Sequence, residues 1–279
     1  MSRGPFYITG PAVISFSGGR TSAYMLWRVL EAHDGVLPPD VLVAFANTGK
    51  EREETLRFVH ECSSRWSVRV AWLERTAGGG FREVGYNSAS RQGEPFTELI
   101  REKGFAPNRG AGFCSIELKG RVIRDYCRAR GFVTGWPSII GLRHDEGLRV
   151  MKALARNDSR KDPWRNVMPL ATAKVTRRTV MEFWAAQAFD LGLLDYEGNC
   201  DLCWKKSDTK IMRSIRDDPA RADWWIAREA ETYSAFRTPS IVELAHAVAI
   251  QPNFPGLEQV DDGEEHDSEC GLSCAAEVA

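Results

Sequence analysis

The chain has 279 residues, with 37 Lys and Arg against 38 Asp and Glu, for a formal net charge of −1. Hydrophobic residues at 43% and charged residues at 27% are ordinary for a globular protein, which excludes wholesale disorder and collagen-like structure. No apolar run approaches the roughly 18 residues of a membrane helix, and the opening MSRGPFYITG lacks a signal-peptide core, so the expected setting is cytoplasmic, with no membrane partner.

In chain order, four short apolar runs predict buried parallel strands: Ala12–Phe16, Val41–Phe45, Val68–Leu73 and Ser138–Leu142. Helical patterns separate them. Ser22–Ala32 carries Met25, Leu26, Val29 and Leu30 on one face. Glu51–Arg65 carries Leu56, Val59 and Cys62, with Glu51, Glu53 and Glu54 placed in the first turn, where the helix dipole favours acids. The alternation predicts an α/β fold: a Rossmann-like, doubly wound parallel sheet with helices on both faces. Residues 74–113 read as a long polar insertion, functional or mobile, with a loop at Gly78–Gly80. A further amphipathic helix is expected over Val175–Gln187. Residues 205–250 read as helical, broken at Pro219 and Pro239. The expected layout is a nucleotide-binding domain over 1–215, a helical C-terminal region over 216–260 and a flexible acidic tail over 261–279.

The near-zero charge is a cancellation. The tail holds seven acids (Asp261, Asp262, Glu264, Glu265, Asp267, Glu269, Glu277) and no Lys or Arg, so residues 1–260 carry +6. A basic body suits an anionic ligand such as a nucleotide or a nucleic acid, although an acidic end also serves plain solubility.

The segment Ser15-Phe16-Ser17-Gly18-Gly19-Arg20-Thr21-Ser22 leaves a strand and enters a helix. Paired glycines allow a sharp turn and close approach to a ligand, and the amides at the helix start then face it. Ser17, Thr21 and Ser22 add hydroxyl donors. The spacing is not that of a Walker A loop.

This loop resembles the PP-loop of the adenine-nucleotide α-hydrolase-like enzymes, which include ATP pyrophosphatases, tRNA thiolases and the phosphoadenosine-phosphosulfate (PAPS) reductase family. Four further segments follow in the same order. They are Asn47-Thr48-Gly49 with Glu53-Glu54-Thr55, Cys114 to Leu118-Lys119, Gly141-Leu142-Arg143 with Glu146 and Arg149, and Pro169-Leu170 with Val180 and Trp184. The chain is most similar to phage and bacterial members of the PAPS reductase family, over about residues 12–215. By its own chemistry, the Asn47–Gly49 turn suits a ribose or adenine edge. Lys119, Arg143 and Arg149 offer cations for phosphate or sulfate oxygens.

Seven cysteines without an export signal argue against a disulfide framework. Cys62 and Cys127 fall on apolar helix faces and read as core. Cys200-Asp201-Leu202-Cys203 has the spacing for one metal ion or one cluster. The resemblance adds Cys114 as a third ligand and implies a 4Fe–4S cluster. Phe113 stands where cluster-bearing sulfonucleotide reductases have a first cysteine, so one ligand is missing. An open iron, a ligand from Cys270 or Cys274, zinc, and a redox pair all stay open. Glu269-Cys270-Gly271-Leu272 resembles the C-terminal Glu-Cys-Gly-Leu of PAPS reductases, with Ser273 in place of the family's His and Cys274 beyond. The resemblance implies that Cys270, or Cys274, is the nucleophile and a thioredoxin-like protein the reductant.

The expected function is therefore reduction of PAPS to sulfite. One alternative keeps the fold, uses ATP with Mg²⁺, and transfers sulfur to a nucleic acid. The other is a non-catalytic nucleotide-binding protein with structural zinc.

Overall fold

A computed structural model describes residues 4–253 and residue 257. The acidic tail, with Cys270 and Cys274, lies outside the described residues. Six strands are present among the described residues: β1 (Ala12–Ser15), β2 (Val41–Ala46), β3 (Ala71–Arg75), β4 (Phe81–Val84), β5 (Trp136–Ile139) and β6 (Trp164–Val167). Between the first three run helices α1 (Arg20–Ala32) and α2 (Glu53–Arg65). Then come α3 (Glu94–Lys103), the single turn α4 (Phe113–Ser115), a π-helical segment (Ile116–Gly120) and α5 (Arg121–Ala129). α6 (Gly147–Ser159) precedes β6, and α7 (Pro169–Thr172) and α8 (Arg177–Ala185) follow it. The chain closes on α9 (Asp208–Asp217), α10 (Arg221–Thr232) and α11 (Ile241–Ile250).

The strands form one sheet in the order β4-β3-β2-β1-β5-β6. All neighbours are parallel except β4, which runs antiparallel to β3. From β1 the chain steps outward through β2 and β3, then returns to β5 and β6 on the other side. The order thus reverses between β1 and β5, and the crevice at their C-terminal ends is where such sheets bind ligands.

Period-two alternation splits the sheet residues between two cores. Ile14, Val43 and Phe45 face α1, α2 and α8. Val13, Ala44, Leu73 and Ile140 face α5 and α6. A third core joins Phe96 and Leu99 of α3, Leu118 and Leu202 to Ile211, Trp225 and Leu244 of α9, α10 and α11. α9 straddles the expected boundary at residues 215–216 and packs on α11. Pro219 and Pro239 fall between the three helices, where the sequence puts the breaks.

Two expectations need correction. The third strand is Ala71–Arg75 rather than Val68–Leu73. It continues through charged residues because Glu74, fully buried, accepts hydrogen bonds from Asn47, Arg82 and both the backbone N–H and hydroxyl of Ser90. Residues 74–113 are not a structureless insertion. Gly78–Gly80 turns the chain back into β4, and α3 enters the third core. The β4 sequence Phe-Arg-Glu-Val lies at a sheet edge with exposed charges, which hides the strand from a hydrophobicity reading.

No helix among the described residues is long and apolar enough to cross a membrane.

Candidate functional site

The crevice is built from two loops. Ser15 ends β1 buried, and beyond it Gly18 takes a φ of +83°. A Cβ there would stand 2.7 Å from Thr55 Cγ2, so glycine is required for both conformation and space. Gly19 opens α1 with no side-chain cap. Ser22 Oγ donates to the Gly19 carbonyl at 3.0 Å and lies 2.8 Å from Ser17 Oγ, which fixes the loop. Trp184 of α8 donates to the Arg20 carbonyl and pins the start of α1.

After β5, Gly141 packs on that helix start. A Cβ there would meet Ser22 Cα at 3.1 Å. Arg143 follows, 5% exposed, and donates to Thr21 Oγ1 at 2.9 Å and to Asp145 at 3.0 Å. Arg149 pairs with Glu146, whose carboxylate also accepts the Arg143 amide. Arg149 thus holds the support of Arg143. Burial alone would raise the Asp145 carboxyl, but the Arg177 amide and Arg143 hold it below the ordinary range.

A cavity of about 340 Å³ opens here. Arg20, Thr21, Arg143 and Arg177 give it a cationic, hydroxyl-bearing side, and Val180, Leu191 and Leu193 an apolar one. Glu197, Gly198 and Asn199, with Met181, Leu194 and Asp195, complete the lining. Arg20 is held by a two-pronged ion pair to Asp190, at 2.8 and 2.5 Å. Burial would raise the Asp190 carboxyl, and the Arg20 hydrogen bond and charge outweigh it and lower it.

Several expected ligand contacts are used inside the protein. Asn47 spends both amide hydrogens on Glu74 and the Ser90 carbonyl, and its oxygen accepts the Gly49 amide. Thr48 gives its amide and hydroxyl to Glu51. The Asn47–Gly49 turn, expected to touch ribose or adenine, is therefore a bracket for two buried carboxylates. Lys119, expected on a phosphate, pairs with Glu51 at 3.2 Å, both side chains being buried. Glu51 itself is not in the first turn of α2. Its backbone bridges to Cys200, and its carboxylate lies 3.8 Å from Cys200 Sγ.

The cysteine loop is stitched to the loops that follow β1 and β2. Asn199 donates to the Ser17 carbonyl at 2.9 Å, and its own carbonyl accepts the Arg52 amide. Asp201 pairs with Lys50 at 2.8 Å and accepts from Trp225 of α10. Cys200 is half-buried and packs against the buried Cys203. Lys206, 8% exposed, has an ammonium with no hydrogen-bond partner. Burial pushes Lys206 down to about 8, and Cys203 and Cys200 oppose that fall. Cys114 is half-buried at the start of α4, on the helical run that carries Lys119. Cys62 and Cys127 are core residues, and burial raises both thiols.

Among the described residues no three His, Cys, Asp or Glu side chains form a set that could hold a metal ion. Of the cysteines that the resemblance gives to a cluster, Cys200 and Cys203 pack together and Cys114 lies at the start of α4, while Cys270 and Cys274 lie outside the described residues. Sequence reasoning missed Asn199, Glu51 and Lys206. Their signal was proximity, with Asn199 directly before the cysteine pair and Lys206 three residues after it.

The fold and this crevice define an α/β protein with a glycine turn opening a helix at the switch point of its sheet and a cysteine pair close by. No family model matches the chain. It is 31% identical over 219 residues to the uncharacterized nin region protein ORF290 of Escherichia phage lambda, covering 74% of this chain and 70% of that protein. It is 27% identical over 152 residues to the uncharacterized protein MJ0066 of Methanocaldococcus jannaschii, covering 54% of this chain and 27% of that protein. The chain belongs to the family of the phage lambda nin region protein.

Proposed function

We propose that the protein is an enzyme of the PAPS reductase type, which binds an adenine nucleotide in the β1–β5 crevice and performs sulfur redox chemistry at its rim. The observation that carries this reading is the Asn199 hydrogen bond to the Ser17 carbonyl, which seats the Cys200–Cys203 turn on the phosphate loop. An anion crevice alone suits any nucleotide-binding protein. Thiols joined to that loop through one residue suit a reaction at the nucleotide's sulfur. The phosphates would lie on the amides at the start of α1, with Arg143 as the charged donor. The apolar wall of Val180, Leu191 and Leu193 suits the adenine ring. Cys270 and Cys274, the nucleophile candidates implied by resemblance, lie outside the described residues.

Thermal stabilisation by PAPS, adenosine phosphosulfate and ATP tests the reading, followed by an assay for sulfite release in the presence of a thioredoxin-like reductant. PAPS or adenosine phosphosulfate is expected to stabilise the protein most and to yield sulfite. Stabilisation by ATP with pyrophosphate release, and no reaction on either sulfonucleotide, would replace the reductase with an ATP-dependent sulfur transferase. Stabilisation without turnover of any nucleotide would leave a binding protein.

A further inference from the structure

We infer that the β6 edge of the sheet, with α6 and the start of α8, is a docking surface for single-stranded nucleic acid that leads to the mouth of the crevice. It does not depend on which nucleotide fills the crevice, and so goes beyond the reductase reading.

The charge of the body is concentrated there. From the start of α6 to the end of α8, residues 147–185 hold nine Lys and Arg against three acids. That excess equals the whole +6 of residues 1–260, so the rest of the body is neutral. Arg149, Arg156 and Arg178 are paired with Glu146, Asp162 and Glu182. Lys152, Arg160, Lys161, Arg165, Lys174 and Arg177 are exposed and make no ion pair among the described residues. Arg160 and Lys174 stand at φ of +52° and +56°, where glycine or asparagine is easier, so long cations are kept there against backbone preference.

The shape selects the polyanion. β6 ends the sheet among the described residues. Trp164 packs into the core that α6 shares, so by alternation Arg165 points to the opposite face. Lys152 of α6 and Arg165 therefore flank a thin edge, and Arg177 lines the cavity at the end of the same segment. A flexible strand can follow such a rim, whereas a bilayer or a stiff duplex meets one side of it. Protection of the edge against pairing with another strand does not account for the cations. Asn157 already covers β6 at its middle, where its side chain donates to the Asn166 carbonyl at 2.9 Å and accepts the Asn166 amide at 2.8 Å.

α6 adds an apolar component. Of its 13 residues only Ala153 is buried, while Leu148, Met151 and Leu154 are 65%, 66% and 48% exposed. Apolar side chains interleaved with cations suit a ligand that carries phosphates and open base faces together. A single strand offers both, and a duplex hides its base faces in the stack.

The test titrates the full chain, by fluorescence anisotropy over a range of salt, with labelled strands of DNA and RNA of about 20 nucleotides and with the matching duplex. Phosphatidylserine vesicles form a separate arm, read by co-sedimentation. The single strands are expected to bind more tightly than the duplex, with log K falling against log salt at a slope of about −4, as for six phosphates neutralised. Lys161→Gln and Arg165→Gln should each weaken binding severalfold and make the slope shallower by about 0.7. Leu148→Ser combined with Met151→Ser should weaken binding of the strand and leave the slope unchanged. Arg128→Gln removes an exposed cation from α5, which packs on β2, β3 and β4, and should change nothing. A preference for RNA or for DNA names the strand and supports the surface in either case. An equal loss in Arg128→Gln means diffuse attraction and overturns this edge as the site. Duplex bound as tightly as single strand overturns the strand assignment, and vesicles bound without strands replace nucleic acid by a lipid surface. No binding of either strand at low salt overturns the inference. The sulfite and pyrophosphate assays above are read independently, so either reading can fail while the other stands.

Discussion

Glu197 shows how the crevice is held at the level of one side chain. Its carboxylate, 6% exposed, pairs with Arg52 and with Arg221, the latter at 3.0 Å, and it lines the cavity next to Asn199. Burial alone would raise its carboxyl, but the Leu194 amide and the Arg52 and Arg221 charges hold it below the usual range. Asp145 and Asp190, which pair with the cavity-lining Arg143 and Arg20, are lowered by the same competition. A carboxylate lowered in the folded state binds fewer protons there than in the unfolded chain. Its stabilising contribution is full above the ordinary carboxylate pKa of about 4 and is lost as pH falls through the folded value. The folded protein should therefore lose stability steeply on acidification below about pH 4. Glu197→Gln should cost on the order of 3 kcal/mol at neutral pH, because Arg52 loses a buried partner. The variant should also show a shallower acid dependence. Urea unfolding at pH 7 and at pH 3 checks both. Equal slopes for the two proteins would remove Glu197 from the acid response.

At the level of elements, the π-helical segment explains how one helical run serves two environments. Leu118 enters the third core while its neighbour Lys119 reaches Glu51 on the site side. In a regular α-helix adjacent side chains point about 100° apart, and the wider π turn allows both to be buried on different elements. Glu51 is fully buried and takes further hydrogen bonds from Thr48 and from the Cys200 thiol. Lys119→Met should therefore leave a carboxylate short of its cation, at a cost of about 3 kcal/mol. Adding Glu51→Gln should recover part of that loss. A double-mutant cycle by urea denaturation reads the coupling directly. Additive losses would mean that the pair does not hold the π segment to the cysteine loop.

At the level of the whole molecule, the doubly wound sheet was legible because buried parallel strands are continuous apolar runs. Ala12–Ser15 and Val41–Ala46 fall where such runs predict. The tight turn from β1 into α1 was legible from its glycines. What escaped was polar and long-range. Glu74 and Arg75 lie in a strand because side chains distant in sequence satisfy them, and Asn47, Thr48 and Lys119 are turned inward by partners that no local pattern names. Charged residues at the sheet edge hid β4. The same long-range stitching yields a test of the crevice as a unit. The glycine loop over 15–22, the turn over 140–143 and the cysteine loop over 198–203 are far apart in the chain. They meet through the packing of Gly141 on Ser22, the Arg143–Thr21 hydrogen bond and the Asn199–Ser17 hydrogen bond. A nucleotide held by all three should slow backbone amide exchange in all three together, while α9–α11 exchange as before. Hydrogen exchange with and without PAPS reads this segment by segment. Protection confined to residues 15–22 would mean that the ligand sits on the first loop alone and that the cysteine loop is no part of its binding site.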